Sequence, residues 1–295
     1  SVFCAPQYVA MSQGFFAEEG LSVELTVGQG ADKVMAAVLS GSVDIGLAGP
    51  EAAIYVMGEG REDYPQVFAQ LTQRDGSFLV GREPDEDLQW EDLKGSHLLP
   101  GRKGGVPYMT LEYVVREHGL TPGEDVLFDD SVDFSLMASA FAAGTGDYVT
   151  IFEPTAYAME MQGQGYILAS VGEASGEVPF TAYFAAGSRI EEDPGLFEGF
   201  TRAVYRGQKW VEEHSAEEVA EVLQPYFADT DLEVLVSVVE NYKAIDAWAH
   251  TPVMSRPGFE KLQDIMQQAG QLEERVAYDD LVNTEFAERV TAEEA

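Results

Sequence analysis

The chain has a single cysteine, Cys4, among its 295 residues, which rules out an internal disulfide and a cysteine-rich metal site. Histidine is scarce as well, and His97, His118, His214 and His250 lie far apart. No Gly-x-Ser-x-Gly elbow, His-Glu-x-x-His pair or phosphate-binding Gly-Lys-Ser/Thr loop is present. Nucleophilic, zinc-dependent and P-loop chemistry therefore lack a motif, and each histidine reads as structural. Apolar runs such as 34–39 and 45–48 are short. A membrane-spanning helix needs roughly 20 residues. Basic residues are few: 17 against 52 acidic ones, for a formal charge of −35. A field of that sign repels phosphate backbones and anionic headgroups, which argues against nucleic acid and direct membrane-surface binding. The acidic residues are spread along the chain, as at 83–87, 191–193 and 217–221, and read as a solvated surface.

What is present is a globular composition, 45% hydrophobic and 11% aromatic. Short β-like runs alternate with helical stretches through the first two thirds. Strands are expected at 2–3, 22–27, 43–48, 66–71, 78–80, 97–99, 126–128, 148–152 and 166–170. Helices are expected at 7–19, 32–39, 50–57, 107–117 and 134–142, with Pro6 and Pro107 at helix entrances and Gly20 and Gly119 as stops. From Pro194 onward the pattern turns helical, with Leu196, Phe200, Val204 and Val211 at helical spacing. Those apolar stripes read as core. Alternation of this kind predicts an α/β fold with mostly parallel sheets flanked by helices and a helical C-terminal tail.

An internal echo organises the chain. Met35-Ala36-Ala37-Val38-Leu39-Ser40-Gly41-Ser42-Val43-Asp44 leads to a strand and Pro50-Glu51-Ala52. Met137-Ala138-Ser139-Ala140-Phe141-Ala142-Ala143-Gly144-Thr145-Gly146-Asp147 leads to a strand and Pro154-Thr155-Ala156. The methionine-to-aspartate spacing is nine residues in the first copy and ten in the second. Two lobes on one plan are implied, with a cleft at the carboxyl ends of their strands.

Four turns should meet at that cleft: Gly28-Gln29-Gly30-Ala31-Asp32, Gly49-Pro50-Glu51, Gly101 to Pro107, and Phe152-Glu153-Pro154-Thr155. Each joins a strand end to a helix start and brings free N–H groups there. Arg102 and Lys103 suit an anionic group on a solute; Glu51 and Glu153, in equivalent places, suit amino or amide groups. The alternative for both carboxylates is a plain helix cap. Gln73-Arg74-Asp75-Gly76-Ser77 reads as a hairpin turn in preference to a cleft edge.

Pro6-Gln7-Tyr8-Val9-Ala10 through Gly14-Phe15-Phe16-Ala17-Glu18-Glu19-Gly20-Leu21-Ser22-Val23-Glu24 resembles the opening of the nitrate/sulfonate/taurine and thiamine-pyrimidine-precursor family of ABC-importer solute-binding proteins. Leu39-Ser40-Gly41-Ser42-Val43-Asp44-Ile45-Gly46, Trp90-Glu91-Asp92-Leu93-Lys94-Gly95 and Glu153-Pro154 are similar to further segments of that family. The resemblance runs over about 6–183. It implies a two-lobed type II periplasmic-binding-protein fold, with crossings near 81–87 and 177–181 and the tail returning to the first lobe. Lobe 1 is then 1–82 plus 180–295, and lobe 2 is 83–179.

The implied function is capture of a small organic solute by lobe closure and delivery to an ABC permease, by an extracytoplasmic monomer that is not an enzyme. The signal segment is expected to lie outside this chain, and no cofactor or metal is expected. The solute is sulfonate- or taurine-like, or an aminopyrimidine, with a slight lean to the sulfonate. The ligand set carried over is Gln7, Tyr8, Gln29, Gly30, Glu51, Lys103, Gly104 and Glu153. Cys4 stands where the family often has an aromatic. Enzymes of pyrimidine-precursor synthesis share the fold, but their cysteine-rich iron-binding motif is missing here. A receptor sensory domain is the third reading.

Overall fold

The computed structural model describes residues 1–294. Eight strands form two sheets: β1 Gly46–Ala48, β2 Pro65–Thr72, β3 Ser77–Gly81, β4 His97–Leu99, β5 Leu127–Phe128, β6 Tyr148–Phe152, β7 Tyr166–Ser170 and β8 Thr181–Ala186. One sheet has the order β1-β8-β2 and the other β5-β4-β6-β3-β7. Strands β2 and β3 read as near-continuous apolar runs because both of their faces are covered.

The sheets are mixed, which corrects the mostly parallel expectation. β4 runs parallel to β5 and β6, but β8 is antiparallel to β1 and β2, and β3 is antiparallel to β6 and β7. The reason is topological. All strands that follow a helix within their own sheet run one way, as crossover units require. Only β3 and β8 follow directly on a crossing from the other sheet. They enter at the carboxyl ends of their neighbours and have to run the opposite way.

Sheet membership also moves the first crossing. β2 and β3 belong to different sheets, so residues 73–76 are the passage between lobes and not a hairpin turn. That is earlier than the crossing expected at 81–87. The second passage lies between helix Val171–Ser175 and β8, spanning the expected 177–181. Thr72 and Thr181 join the two passages, their hydroxyl oxygens 2.6 Å apart.

Three sequence expectations are corrected locally. Residues 2–3 lie in the 3-10 helix Val2–Cys4, capped by Ser1, whose hydroxyl accepts from Phe3 N at 3.2 Å. The expected helix 7–19 is two helices, Ala5–Ser12 and Phe15–Glu18, because Gly14 takes φ +78° between them. Residues 22–27 pair in no ladder. Leu21 and Val23 lean on the core around Phe68, Phe197 and Phe200, whereas Leu25 and Val27 of the alternating set are exposed.

The echo holds in three dimensions. Helix Ala31–Leu39, β1 and helix Glu51–Gly58 repeat as helix Met137–Ala142, β6 and helix Thr155–Met161. The tail contributes Pro194–Glu213, Ala216–Leu223, Leu232–Ala244, Arg256–Gln268, Tyr278–Leu281 and Glu285–Glu293. Pro194–Glu213 packs on Ala5–Ser12 and on β2, whereas Arg256–Gln268 packs on Val106–Glu117 of the second lobe. The tail therefore touches both lobes. No helix among the described residues is long and apolar enough to cross a membrane.

Candidate ligand-binding cleft

The turn after β1 is built around a carboxylate. Glu51 opens helix Glu51–Gly58, yet its side chain is buried at 1% exposure. It folds back over Gly49, where a Cβ would stand 2.0 Å from Glu51 Oε2, so only glycine leaves the carboxylate this position. Glu51 Oε1 accepts from Val106 N at 3.3 Å, reaching the start of helix Val106–Glu117 in the other lobe. Glu51 Oε2 has no hydrogen-bond partner. Burial pushes the Glu51 carboxyl up to about 7, against the backbone N–H groups of Glu51 and Val106 and the nearby Arg102.

Tyr55, one turn along the same helix, makes a second bridge. Its hydroxyl donates to Gly104 O at 2.7 Å. A third contact crosses between turns, with Arg102 Nε 3.5 Å from Asp32 Oδ1. Gly104 takes φ +83°, which exposes its carbonyl to Tyr55. Lys103 is exposed and acts on Glu112, which also pairs with Arg116 at 2.9 Å. Arg102, one of the two cations expected to meet an anionic solute, thus already faces a carboxylate. Gln29 and Gly30 sit at the mouth of the first turn in left-handed backbone, at φ +61° and +137°.

The turn after β6 has the same logic. Glu153 is 1% exposed; its Oε2 accepts from Tyr157 N at 2.9 Å, while its Oε1 has no partner. One oxygen caps the helix, as the plain reading of this residue expects, and the other has no hydrogen-bond partner. Burial raises its carboxyl to about 7 against the Tyr157 N–H and the nearby Asn241 side chain, which does not reach hydrogen-bond geometry with Oε1. The carbonyl of Glu153 accepts from Ser1 Oγ at 2.9 Å and Val2 N at 3.3 Å, another contact between lobes.

Gln7 and Tyr8 are placed differently. The Gln7 amide oxygen accepts from the Tyr183 hydroxyl at 2.5 Å, and the Tyr8 ring lies 4.9 Å from Tyr226 and 5.4 Å from Phe227 in the tail. Cys4, beside them, has its thiol pushed up by burial. Structure therefore brings together Glu51, Gly104 and the start of Val106–Glu117, with Gln29, Gly30 and Lys103 on the turns around them. Two open concavities, of about 480 and 390 Å³, are lined by none of the eight expected residues.

Three residues of this region were not legible as such. Asp75 is fully buried in the first crossing and accepts from Ser77 N, Ser77 Oγ and Thr110 Oγ1, the last at 2.5 Å. Burial lifts it to about 6 in spite of those bonds. Its signal, Asp-Gly-Ser between two strands, is present in the sequence but reads there as a hairpin in preference to a cleft edge. Tyr55 was recoverable from its four-residue spacing from Glu51, which places both on one helix face. Tyr242 carried no signal beyond membership of an apolar stripe. The histidines pair conventionally: His97 with Asp129 at 2.7 Å, His118 with Glu91 at 3.1 Å, His250 with Asp246 at 3.0 Å, and His214 with Trp210 O at 2.8 Å. Among the described residues no three His, Cys, Asp or Glu side chains cluster as metal ligands do.

The model of the NMT1-like family matches residues 1–224, about three quarters of the chain. The chain belongs to the NMT1-like family. This NMT1-like chain is 45% identical over 293 residues to YtlA of Bacillus subtilis (strain 168), named as a binding protein, covering 99% of this chain and 88% of that one. Its fold is similar to the ligand-binding component of an ABC-type import system from Staphylococcus aureus with zinc bound, at TM-score 0.80 and 14% identity over 98% and 95% of the two chains. It is also similar to the alkanesulfonate-binding protein SsuA from Xanthomonas axonopodis pv. citri bound to MOPS, at TM-score 0.74 and 19% identity over 95% and 94%. The NMT1-like chain accordingly has the periplasmic-binding-protein fold.

Proposed function

We propose that this protein is the extracytoplasmic solute-binding subunit of an ABC importer. It captures a small solute between its lobes, closes on it and hands it to a membrane permease, without turnover and as a monomer. The lobes are taken as 1–72 with 181–295, and 77–175, joined by the two crossings. The ligand set is Glu51, Glu153, Gly104, Gln29, Gly30 and Lys103, with Gln7 and Tyr8 behind the first turn.

One observation carries the reading. Glu51 and Glu153 are buried helix-start carboxylates, and in each one oxygen is bonded to a backbone N–H while the other has no partner. A buried carboxylate oxygen without a donor is unfavourable by several kcal/mol unless something supplies one or it takes up a proton. A solute with N–H donors on a planar or cationic group supplies it. Arg102 already has a carboxylate neighbour and two carboxylate oxygens lack donors, so the balance moves from a sulfonate to an amino-bearing heteroaromatic solute.

Calorimetric titration with 4-aminopyrimidine, taurine and nitrate, alongside native mass spectrometry of the purified protein, tests this. Binding of 4-aminopyrimidine in preference to the other two, with the compound recovered unchanged, is expected. Preferential nitrate or taurine binding would refute the solute class, and multiple-turnover consumption would refute the binding role.

A further inference from the structure

Tyr242 lies on helix Leu232–Ala244, in the stretch whose spacing predicts only core, and its side chain is fully buried. Its hydroxyl is used twice. It donates to Gly76 O at 2.8 Å and accepts from Glu153 N at 3.0 Å. A phenol has one proton, so the Glu153 N–H takes a lone pair and the O–H is committed to the Gly76 carbonyl. The two backbone groups belong to different machinery: Gly76 is in the first crossing between lobes, and Glu153 is the helix-start carboxylate of the second lobe.

The ring is fixed on several sides. Phe3 lies 5.4 Å away, and Phe78 and Trp248 lie 5.8 Å away between centroids. Trp248 Nε1 donates to Phe3 O at 2.8 Å, which ties the first lobe's opening segment into the same knot. Gly76 is pressed against Phe3 so closely that a Cβ there would stand 2.4 Å from the ring. The crossing cannot swing without moving Phe3 or stretching the Tyr242–Gly76 bond, and the Glu153 backbone cannot turn without losing Tyr242.

We propose that Tyr242 is a positioning residue of the binding cleft, whose single hydroxyl makes the aim of the Glu153 carboxylate and the setting of the first crossing one coupled adjustment. A solute that pulls on Glu153 then acts on the hinge through one side chain of the tail. This rests on the reading of Glu153 as a solute-binding group.

Tyr242→Phe keeps the ring and deletes both bonds. Hydrogen–deuterium exchange of the ligand-free protein, read by mass spectrometry, is expected to rise roughly tenfold in peptides holding Gly76 and in those holding Glu153, with helix Ala5–Ser12 unchanged. Thr72→Val is the control, since it removes a comparable buried hydroxyl link between the crossings, to Thr181. It should leave exchange at Glu153 as in wild type. In the unmodified protein the Glu153 amide should exchange as slowly as its β6 neighbours, a measurement that does not depend on any variant folding. Affinity for 4-aminopyrimidine should fall roughly tenfold in Tyr242→Phe and stay within about twofold in Thr72→Val. Fast exchange at Glu153 in wild type, a uniform rise across the chain, or a response at only one of the two sites would overturn the proposal. Failure of 4-aminopyrimidine to bind any of the three proteins would strike the solute class, while the exchange pattern still decides Tyr242.

Discussion

Val106 N donates to Glu51 Oε1 across the cleft at 3.3 Å, so the start of a second-lobe helix is held by a carboxylate of the first lobe. A charged acceptor at a helix start is favoured by the dipole of that helix and by its free N–H groups. The other oxygen of the same carboxylate has no hydrogen-bond partner. Under the proposed ligand set, closure and recognition draw on one side chain.

Glu51→Gln and Glu153→Gln test this directly, because amide and carboxylate are nearly the same size. Charge-assisted bonds are worth about 1.5–3 kcal/mol each, or roughly ten- to hundredfold in affinity. Both variants should lose affinity while keeping their backbone bond, since an amide oxygen still accepts from Val106 N or Tyr157 N. Calorimetry with 4-aminopyrimidine reads the affinity, and the melting temperature of the ligand-free proteins checks that the backbone bonds survive. Unchanged affinity in both variants would reduce these residues to caps.

Gly49→Ala asks whether the folded-back carboxylate matters. The added methyl meets the far end of the Glu51 side chain and not backbone, 2.0 Å from Oε2, so the carboxylate can move aside. Stability should fall by about 1–3 kcal/mol, because the displaced carboxylate is buried and holds Val106 N, and affinity for 4-aminopyrimidine should drop roughly tenfold. Intact affinity, whatever the melting temperature, would contradict this.

Much of this was legible in the sequence, for identifiable reasons. Strand–helix alternation and the Met35 and Met137 echoes located both helix-start carboxylates, because period and glycine stops are local properties. Strand direction was not legible. Whether β3 pairs with β2 or departs for another sheet depends on where Asp75 is buried, and that is a tertiary fact. The segment at 22–27 shows the limit from the other side, since its alternation of Val23, Leu25 and Val27 comes with neither a partner strand nor a buried face, Leu25 and Val27 being exposed. Tyr242 escaped because a buried hydroxyl and a buried ring leave the same mark in an apolar stripe.

The helix after β7 is seated on the first crossing with no clearance. A Cβ on Gly172 would stand 2.1 Å from Asp75 O and 3.2 Å from the Arg74 side chain. Backbone oxygen cannot rotate away as a side-chain end can, so Gly172→Ala must lift helix Val171–Ser175 off the crossing. A destabilisation of about 1–3 kcal/mol is expected, read as the shift of the urea midpoint. A midpoint within error of wild type would mean that the crossing gives way freely.

The raised carboxyls set a pH dependence whose sign can be worked out. Glu51 and Glu153 move from 4.5 to about 7, and Asp75 from 3.8 to about 6, chiefly through burial. Between the two values of each pair, the folded protein holds more protons than the unfolded chain. The ligand-free protein should therefore lose stability as pH rises from about 4 through about 7, each carboxyl contributing at most about 3 kcal/mol. Solute binding runs the other way. A donor or cation on the solute favours the ionised carboxylates, so affinity for 4-aminopyrimidine should rise with pH across the same window, and an anion's affinity should fall. The probe titrates as well, and the ratio of wild-type affinity to that of the double variant Glu51→Gln with Glu153→Gln removes its contribution. That ratio should grow roughly tenfold or more between pH 5.5 and pH 8. A ratio constant with pH, or one that shrinks, would show that these two carboxyls do not ionise to receive the solute.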